Sequence, residues 1–134
     1  MGDRAYVRLT CRQEDAGRFE RIGFVEDCTE GEFAISMVDE EANYAHYSEL
    51  IELAKENVVF CGWHDAGGDY DGAMFASGGD GQYHEVLSTS HALLPLVRVK
   101  PDGSIAEGDL DDVREYYSAR ACARKALGMK EDVP

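Results

Sequence analysis

Residues 58–81 read VVFCGWHDAGGDYDGAMFASGGDG, and this stretch decides the fold class of the chain. Its first six residues form a continuous apolar run, which is typical of a central strand covered on both faces. The remainder contains two Asp-Gly dipeptides between short apolar runs, and a third follows at residues 102–103. Because Asp-Gly suits the tight turn that joins antiparallel strands, the stretch predicts a series of hairpins.

The sequence before this stretch predicts a regular alternation of strands and helices. Residues 4–12 alternate between apolar and polar side chains, which indicates a strand with one buried face. The next segments predict a helix at residues 13–22, a hairpin from residues 24–28 and 32–38, and a helix at residues 40–56. The resulting order, including the strand at residue 58, is that of a ferredoxin-like βαββαβ unit.

Two longer helices are expected, and each has a recognisable start. Asp39 is the predicted cap of the helix at residues 40–56. Asp109 is the predicted cap of a second helix at residues 109–127, and Gly128 is its expected end. Acidic residues in the first turn and basic residues in the last turn also favour this second helix.

We therefore predict a single α+β domain over residues 1–128. It consists of a mostly antiparallel twisted sheet, with a ferredoxin-like start plus extra hairpin strands and the two main helices packed on one face. Residues 129–134 are expected to form a disordered tail. No apolar run approaches the roughly 18 residues that span a bilayer, and the first residues lack a signal-peptide pattern. A cytoplasmic location is the resulting expectation.

The net charge of −14 is unevenly distributed along the chain. Residues 22–97 contain fifteen acidic residues and a single basic residue, Lys55, whereas the two flanking segments are close to neutral. Nucleic acids and anionic membranes bind through Lys and Arg, so this acidic segment argues against both as direct partners. It is suited to a basic protein surface, or else it serves solubility alone.

Four widely separated cysteines occur without a Cys-x-x-Cys pair: Cys11, Cys28, Cys61 and Cys122. Disulfide frameworks belong mainly to short secreted chains, and these cysteines mostly lie in apolar context. We expect them to be reduced and buried as small hydrophobic residues.

Cys61 and His64 are the strongest candidates for metal ligands, but no second pair has metal-ligand spacing. On one strand, positions 61 and 64 would also point to opposite faces. A calcium loop with Gly72 as its sixth residue would have Gly67 and Gly78 where strong ligands are required. We therefore predict no metal site and no cofactor.

No catalytic residue is predicted, because the chain has neither a nucleophile elbow nor a Cys-His spacing with known mechanics. The residue types for chemistry are nevertheless concentrated in the segment from Cys61 to Gly81, with His84 and His91 close behind it. The alternative function is therefore a small enzyme, or a ligand- or metal-binding domain, that uses this segment with His84 or His91.

One face of the first predicted strand is basic and aromatic, and it comprises Arg4, Tyr6, Arg8, Thr10 and Arg12. Such a face resembles the surfaces on which nucleic-acid bases stack. In a chain this acidic, we favour cross-strand pairing of these arginines with Glu26, Glu30 or Glu32.

The composition and the charge pattern together predict a small, acidic, non-enzymatic interaction protein that binds a basic protein surface. An inhibitor or accessory factor that mimics nucleic acid is the concrete form of this hypothesis. The predicted contact residues are all acidic: Glu26, Asp27, Glu30, Glu32, Asp39, Glu40, Glu41, Glu49 and Glu52.

Overall fold

A computed structural model describes residues 3–68, 70–89 and 92–130 and contains a six-stranded antiparallel sheet with three α-helices. The predicted α+β class with a mostly antiparallel sheet is confirmed. The strands are β1 (Arg4–Arg12), β2 (Val25–Glu30), β3 (Ala34–Asn43), β4 (Phe60–His64), β5 (Ala73–Ser77) and β6 (His84–Leu87). The helices are α1 (Ala16–Glu20), α2 (Tyr47–Lys55) and α3 (Asp109–Ala126).

The strands lie in the order β2-β3-β1-β4-β5-β6, and each pairs antiparallel with its neighbours. In the first half of the sheet, β3 lies between β1 and β2, and β1 lies between β3 and β4. Each strand-helix-strand unit is therefore split by a third strand, which is the arrangement expected of the ferredoxin-like start. The remaining strands, β5 and β6, extend the sheet beyond β4 as a meander.

The two faces of the sheet are covered by different helices. Phe60 and Leu9 belong to a core with Phe19 of α1 and Leu50 of α2, and we call this side the closed face. The opposite side, where α3 packs on β4, β5 and β6, is the open face.

The prediction that both main helices pack on one face is wrong, because α2 and α3 lie on opposite faces. The reason lies in β4, whose successive side chains point to opposite faces. Phe60 packs on the closed face and Cys61 packs against Tyr116 of α3 on the open face, so this apolar strand requires cover on both sides.

The helix predicted at residues 40–56 begins only at Tyr47, because β3 continues to Asn43 and a short 3-10 turn, Tyr44–His46, follows it. Asp39 is therefore a strand residue, and it does not cap a helix. Its carboxylate lies 2.6 Å from Nε2 of His46, which immediately precedes α2.

Asp109 begins α3 as predicted, but it does not act as the cap. The capping position is Gly108, whose φ of 90° is left-handed. The Asp109 carboxylate instead accepts hydrogen bonds from the backbone N–H of Arg98 at 2.7 Å and from its guanidinium at 2.8 Å. These bonds attach the loop after β6 to the start of α3.

The three Asp-Gly dipeptides have different outcomes. Asp80-Gly81 lies in the connection between β5 and β6, as predicted, and Gly81 has a positive φ of 86°. Asp102-Gly103 forms a turn closed by an isolated bridge between Val99 and Ile105, so no full strand pair follows it. Asp71-Gly72 precedes β5 without a positive φ at either residue.

The cysteine prediction is half right. All four thiols are free, and Cys11 and Cys61 are buried, but Cys28 on β2 and Cys122 on α3 are exposed. Burial raises the pKa of the Cys11 thiol to about 12, with smaller contributions from nearby carboxylates. No helix among the described residues is both long enough and apolar enough to cross a membrane.

Candidate functional site

Several of the predicted contact acids lie on the hairpin formed by β2 and β3. Glu26, Asp27 and Glu30 belong to β2, and Glu32 lies in the turn that follows. β2 is an edge strand that pairs with β3 alone. All of its residues except Glu30 are exposed, whichever face of the sheet their side chains lie on. Glu26 and Asp27 therefore face solvent regardless of the strand's alternation, whereas Glu30 is half-buried at the edge of the open face.

Two large apolar side chains lie exposed on the same hairpin. Val25 at the start of β2 is 64% exposed, and Phe33 in the turn before β3 is 61% exposed. Apolar side chains surrounded by charged ones are typical of protein interfaces, in which a small apolar centre has a polar rim. We call residues 25–33 the acidic hairpin.

Internal ion pairs use some of the nine predicted residues. Asp27 accepts a hydrogen bond from Arg8 at 2.6 Å, and Glu52 lies 3.2 Å from Lys55. Asp39 is mostly buried beside His46, so it is not available as a contact residue. Glu40, Glu41 and Glu49 are exposed at the end of β3 and on α2, away from the acidic hairpin in sequence.

The predicted pairing of the β1 arginines also needs correction. Arg8 pairs with Asp27 and not with Glu26, Glu30 or Glu32. A bulge between Glu26 and Cys28 interrupts the regular pairing of β2 with β3 at Asp27. A bulge redirects the side chains of a strand locally, and a register extrapolated from sequence does not include it.

The segment from Cys61 to Gly81 contains a second candidate site, which is built around His64. Cys61 and His64 point to opposite faces of β4, as predicted, so they cannot bind one metal ion together. Nδ1 of His64 donates to the carbonyl oxygen of Asp65 at 2.9 Å, and Nε2 lies 3.0 Å from Oε1 of Glu85 on β6.

Only 6% of the His64 side chain is exposed, yet its two oxygen partners favour the charged form of the ring, because both accept hydrogen bonds from it. Burial by itself lowers the pKa of His64, but the hydrogen bonds to Glu85 and Asp65, with the charges of the same residues, outweigh it and raise that pKa above 6.5. His64 and the partly exposed Glu85 therefore form a hydrogen-bonded pair that favours the protonated imidazole.

A cavity of about 450 Å³ lies beside this pair, and three tyrosines form much of its wall. We call it the tyrosine pocket. It is lined by Tyr44, Ala45, Tyr47, His64, Tyr70, Asp71, Ala73, Glu85 and Leu87. The rings of Tyr44 and Tyr70 have centroids 6.4 Å apart, and Tyr70 meets His64 edge to face at 5.6 Å.

The backbone at one wall of the tyrosine pocket is strained. Tyr44, Ala45 and His46 have φ values of 51°, 54° and 55°, the left-handed region that costs a non-glycine residue about 1 kcal/mol or more. Tertiary contacts hold this turn in place: the N–H of Tyr44 donates to Asp3 O at 2.6 Å, and the His46 ring contacts Asp39. Such strain is concentrated at functional sites, so it favours a role for this wall.

The open face contains a groove of about 810 Å³ between α3 and the sheet. Tyr6 stacks on Trp63 with ring centroids 5.4 Å apart, and Arg8 lies on the same face. Arg120 and Arg124 of α3 also line the groove. The basic-aromatic face that the sequence indicated on β1 therefore exists, but its α3 residues were missed because they are more than a hundred positions away in the chain.

The two histidines proposed for the alternative function do not join the tyrosine pocket. His84 on β6 precedes Glu85 and points to the open face, where Nδ1 lies 4.0 Å from Glu115. His91 lies outside the described residues. The segment named for the alternative function contains His64 and Tyr70, but the sequence missed Glu85, Tyr44 and Tyr47 as site residues. Strand register places Glu85 beside His64, and the turn and helix after β3 place the two tyrosines.

Among the described residues, no group of three or more His, Cys, Asp or Glu side chains is close enough together to hold a metal ion. Comparison of the chain with protein-family models, with curated proteins and with solved structures gives no match.

Proposed function

We propose that the protein is a small acidic interaction protein that binds a basic protein surface through the acidic hairpin. The observation that carries this proposal is the combination of acidic and exposed apolar side chains on the edge strand β2 and the turn that follows it. Glu26, Glu30 and Glu32 supply charge, and Val25 and Phe33 supply apolar area that a partner would cover.

Charge supports the choice of a basic partner. With a net charge of −14, the chain would attract a basic surface over long range and raise the association rate by about 10- to 1000-fold at low salt. The same charge opposes pairing of two copies at this edge, because like charges directly opposite each other are destabilising. A partner that normally binds nucleic acid through a basic groove fits this proposal most closely.

The outer edge of β2 offers a second type of contact. Because β2 pairs with β3 alone, the backbone groups on its outer side have no strand neighbour in the sheet. A partner segment could therefore pair with this edge while its basic side chains meet Glu26 and Glu30.

The test compares two triple variants of equal net charge. Glu26→Gln, Glu30→Gln and Glu32→Gln remove charge from the acidic hairpin, whereas Glu107→Gln, Asp112→Asn and Glu115→Gln remove it at exposed positions near and on α3. Each is immobilised and exposed to nuclease-treated lysate at low salt, and the bound proteins are quantified by mass spectrometry across a salt gradient.

We expect a stoichiometric basic partner that the hairpin variant loses and the control variant retains. Val25→Asp should also lose this partner, although it makes the chain more acidic, because it removes apolar contact area. Equal loss by both triple variants would show that capture follows net charge alone, and it would contradict the proposed function.

A further inference from the structure

We propose that the tyrosine pocket is a binding site for a methylated ammonium cation. Three tyrosine rings and two carboxylates, from Asp71 and Glu85, converge on one cavity of the closed face. Aromatic rings attract cations through the negative faces of their π systems, and pockets of several aromatic rings are the usual sites for quaternary ammonium groups.

The spacing of the rings suits a cation that lies beside them in the cavity. Attraction is effective within about 6 Å of a ring centroid, and the centroids of Tyr44 and Tyr70 are 6.4 Å apart. This gap is too narrow for a methylated ammonium group between the two rings, so the cation would occupy the cavity that both rings line. Tyr47 lines the same cavity and is braced edge to face by Tyr83 at 5.8 Å.

The charges around the cavity select a cation over an anion. The described lining contains no Lys or Arg, and its one histidine, His64, lies 3.0 Å from the carboxylate of Glu85, which offsets any positive charge on the ring. Asp71 adds an exposed carboxylate at the rim. Burial, followed by the negative charges of Asp3 and Asp65, raises the pKa of Tyr70, so its hydroxyl stays protonated and its ring neutral.

The remaining wall distinguishes a methylated ammonium from a metal ion or a bare ammonium. Ala45, Ala73 and Leu87 present only apolar atoms, which suit methyl groups and cannot replace the water of a strongly hydrated cation. Metal ions need several oxygen, nitrogen or sulfur ligands, and this wall is mostly aromatic and aliphatic. The cavity volume of about 450 Å³ is within the usual range of small-molecule pockets.

The left-handed turn gives the site its rigidity. It holds Tyr44 at the pocket wall through the backbone bond to Asp3, while Ala45 is buried behind it. A wall fixed before binding loses little conformational entropy when the ligand arrives, which favours affinity for a small cation. This role would account for strain in three consecutive non-glycine residues.

The first experiment compares choline with its neutral isostere, 3,3-dimethyl-1-butanol, by calorimetry and by NMR of the aromatic rings of the purified protein. We expect choline to bind at least about 10-fold more tightly, because only the cation is attracted by the rings. The ring signals of Tyr44, Tyr47 and Tyr70 should shift, whereas the Trp63 indole on the opposite face should not.

Variants then separate ring chemistry from simple packing. Tyr47 is 49% exposed, so its replacement should leave the fold intact. Tyr47→Leu should weaken choline binding by about 5- to 30-fold, whereas Tyr47→Phe, which keeps the aromatic face, should retain most of it. The matched control is Tyr117→Leu on the open face, which should have no effect.

Two sources could supply this cation, a free small molecule or a methylated lysine on a protein. A trimethyllysine peptide and its unmethylated counterpart are therefore titrated beside choline. Tighter binding of the methylated peptide than of choline would identify a protein source, and the reverse would identify a small molecule. Equal binding of choline and the neutral alcohol, or no binding of any methylated cation, would overturn the proposal.

The cation site does not depend on the proposed function, because its test uses purified protein and the tyrosine pocket shares no residue with the acidic hairpin. Loss of partner capture by the hairpin variants leaves choline binding unchanged, since no pocket residue is altered. A failure of one proposal is therefore distinguishable from a failure of the other.

Discussion

The closed and open faces of the sheet differ in packing and in charge. On the closed face, Phe19, Phe24, Phe60 and Phe75 form a chain of edge-to-face ring contacts beneath α1 and α2. On the open face, α3 packs mainly on β4, β5 and β6, and a groove of about 810 Å³ lies between α3 and the sheet. The closed face therefore holds a continuous aromatic core, whereas the open face holds a wide groove.

The charges follow the same division. The tyrosine pocket on the closed face is bordered by Asp71 and Glu85, whereas the groove on the open face is lined by Arg8, Arg120 and Arg124, with Glu30 as an acidic member. One sheet thus separates a cavity suited to cations from a groove rich in arginine. An acidic chain can therefore carry a local basic surface, which its net charge conceals.

The largest expected effect tests the difference in packing. Phe60→Ala should lower the free energy of unfolding by about 3–5 kcal/mol, because it removes a fully buried ring from between Phe19 and Phe75. Met74→Ala on the open face should cost about 2 kcal/mol, since Met74 borders the groove. Urea unfolding of both variants measures the two values, and equal costs would contradict the contrast between the faces.

The next effect concerns the buried pair on the closed face. Glu85→Gln should lower the free energy of unfolding by about 1.5–3 kcal/mol at acidic pH, because the His64 imidazolium loses a charged hydrogen-bond partner. Chemical unfolding of the wild type and the variant measures this loss.

The same pair predicts a pH dependence of known sign. Since the pKa of His64 is raised in the folded protein, its stabilising effect is complete below 6.5 and is lost as the pH rises through the folded value. In Glu85→Gln, burial should outweigh the remaining hydrogen bond and lower the pKa of His64 in the folded protein. The contribution of His64 to stability should then increase as the pH rises, which is the opposite of the wild type. Unfolding free energies between about pH 5.5 and about pH 8.5 test this, and parallel profiles for the two proteins would exclude the pair as the cause.

A smaller effect tests how closely β1 and β4 pack against each other on the closed face. A methyl group on Gly62 would clash with the carbonyl oxygen of Arg8 and lie 2.7 Å from Leu9 Cα. Gly62→Ala should therefore cost about 1–3 kcal/mol by forcing β1 and β4 apart. Thr10→Val, which enlarges the apolar surface of the open face, should change stability by no more than about 0.5 kcal/mol in the same urea assay.

The smallest effect is an increase in stability. Gly17 is an exposed residue of α1, and an added Cβ would meet nothing within 4 Å. Gly17→Ala should raise the free energy of unfolding by about 0.5–1 kcal/mol, because alanine loses less conformational entropy than glycine in a helix. A decrease in the thermal midpoint of this variant would mean that α1 is not helical at this position.

Local patterns in the sequence were sufficient for most of the elements. The alternation of residues 4–12 predicted β1, and the charge distribution of residues 109–127 predicted α3 within one residue of its observed end. The prediction failed where two signals overlapped: acidic residues after Asp39 favoured a helix start, but pairing with β1 carries β3 through to Asn43. Long-range strand pairing there outweighs a helix propensity of a few tenths of a kcal/mol per residue.

The candidate sites were less accessible to sequence analysis than the fold. The exposure of Glu26 and Glu32 follows from any hairpin at that position, and the sequence indicated it correctly. The tyrosine pocket requires Tyr44 and Tyr70 to meet His64 and Glu85, which are distributed over more than forty positions. No spacing rule within one segment contains that information.

The sequence by itself determined the α+β class, a central apolar strand within residues 58–63 that the structure begins at Phe60, and the acidity of the middle segment. Periodicity, turn chemistry and charge are properties of neighbouring residues. Only the tertiary structure decided that α2 and α3 lie on opposite faces, that Asp27 pairs with Arg8 and that His64 pairs with Glu85. These outcomes depend on the register of six strands, and a shift of one residue reverses the face of every side chain.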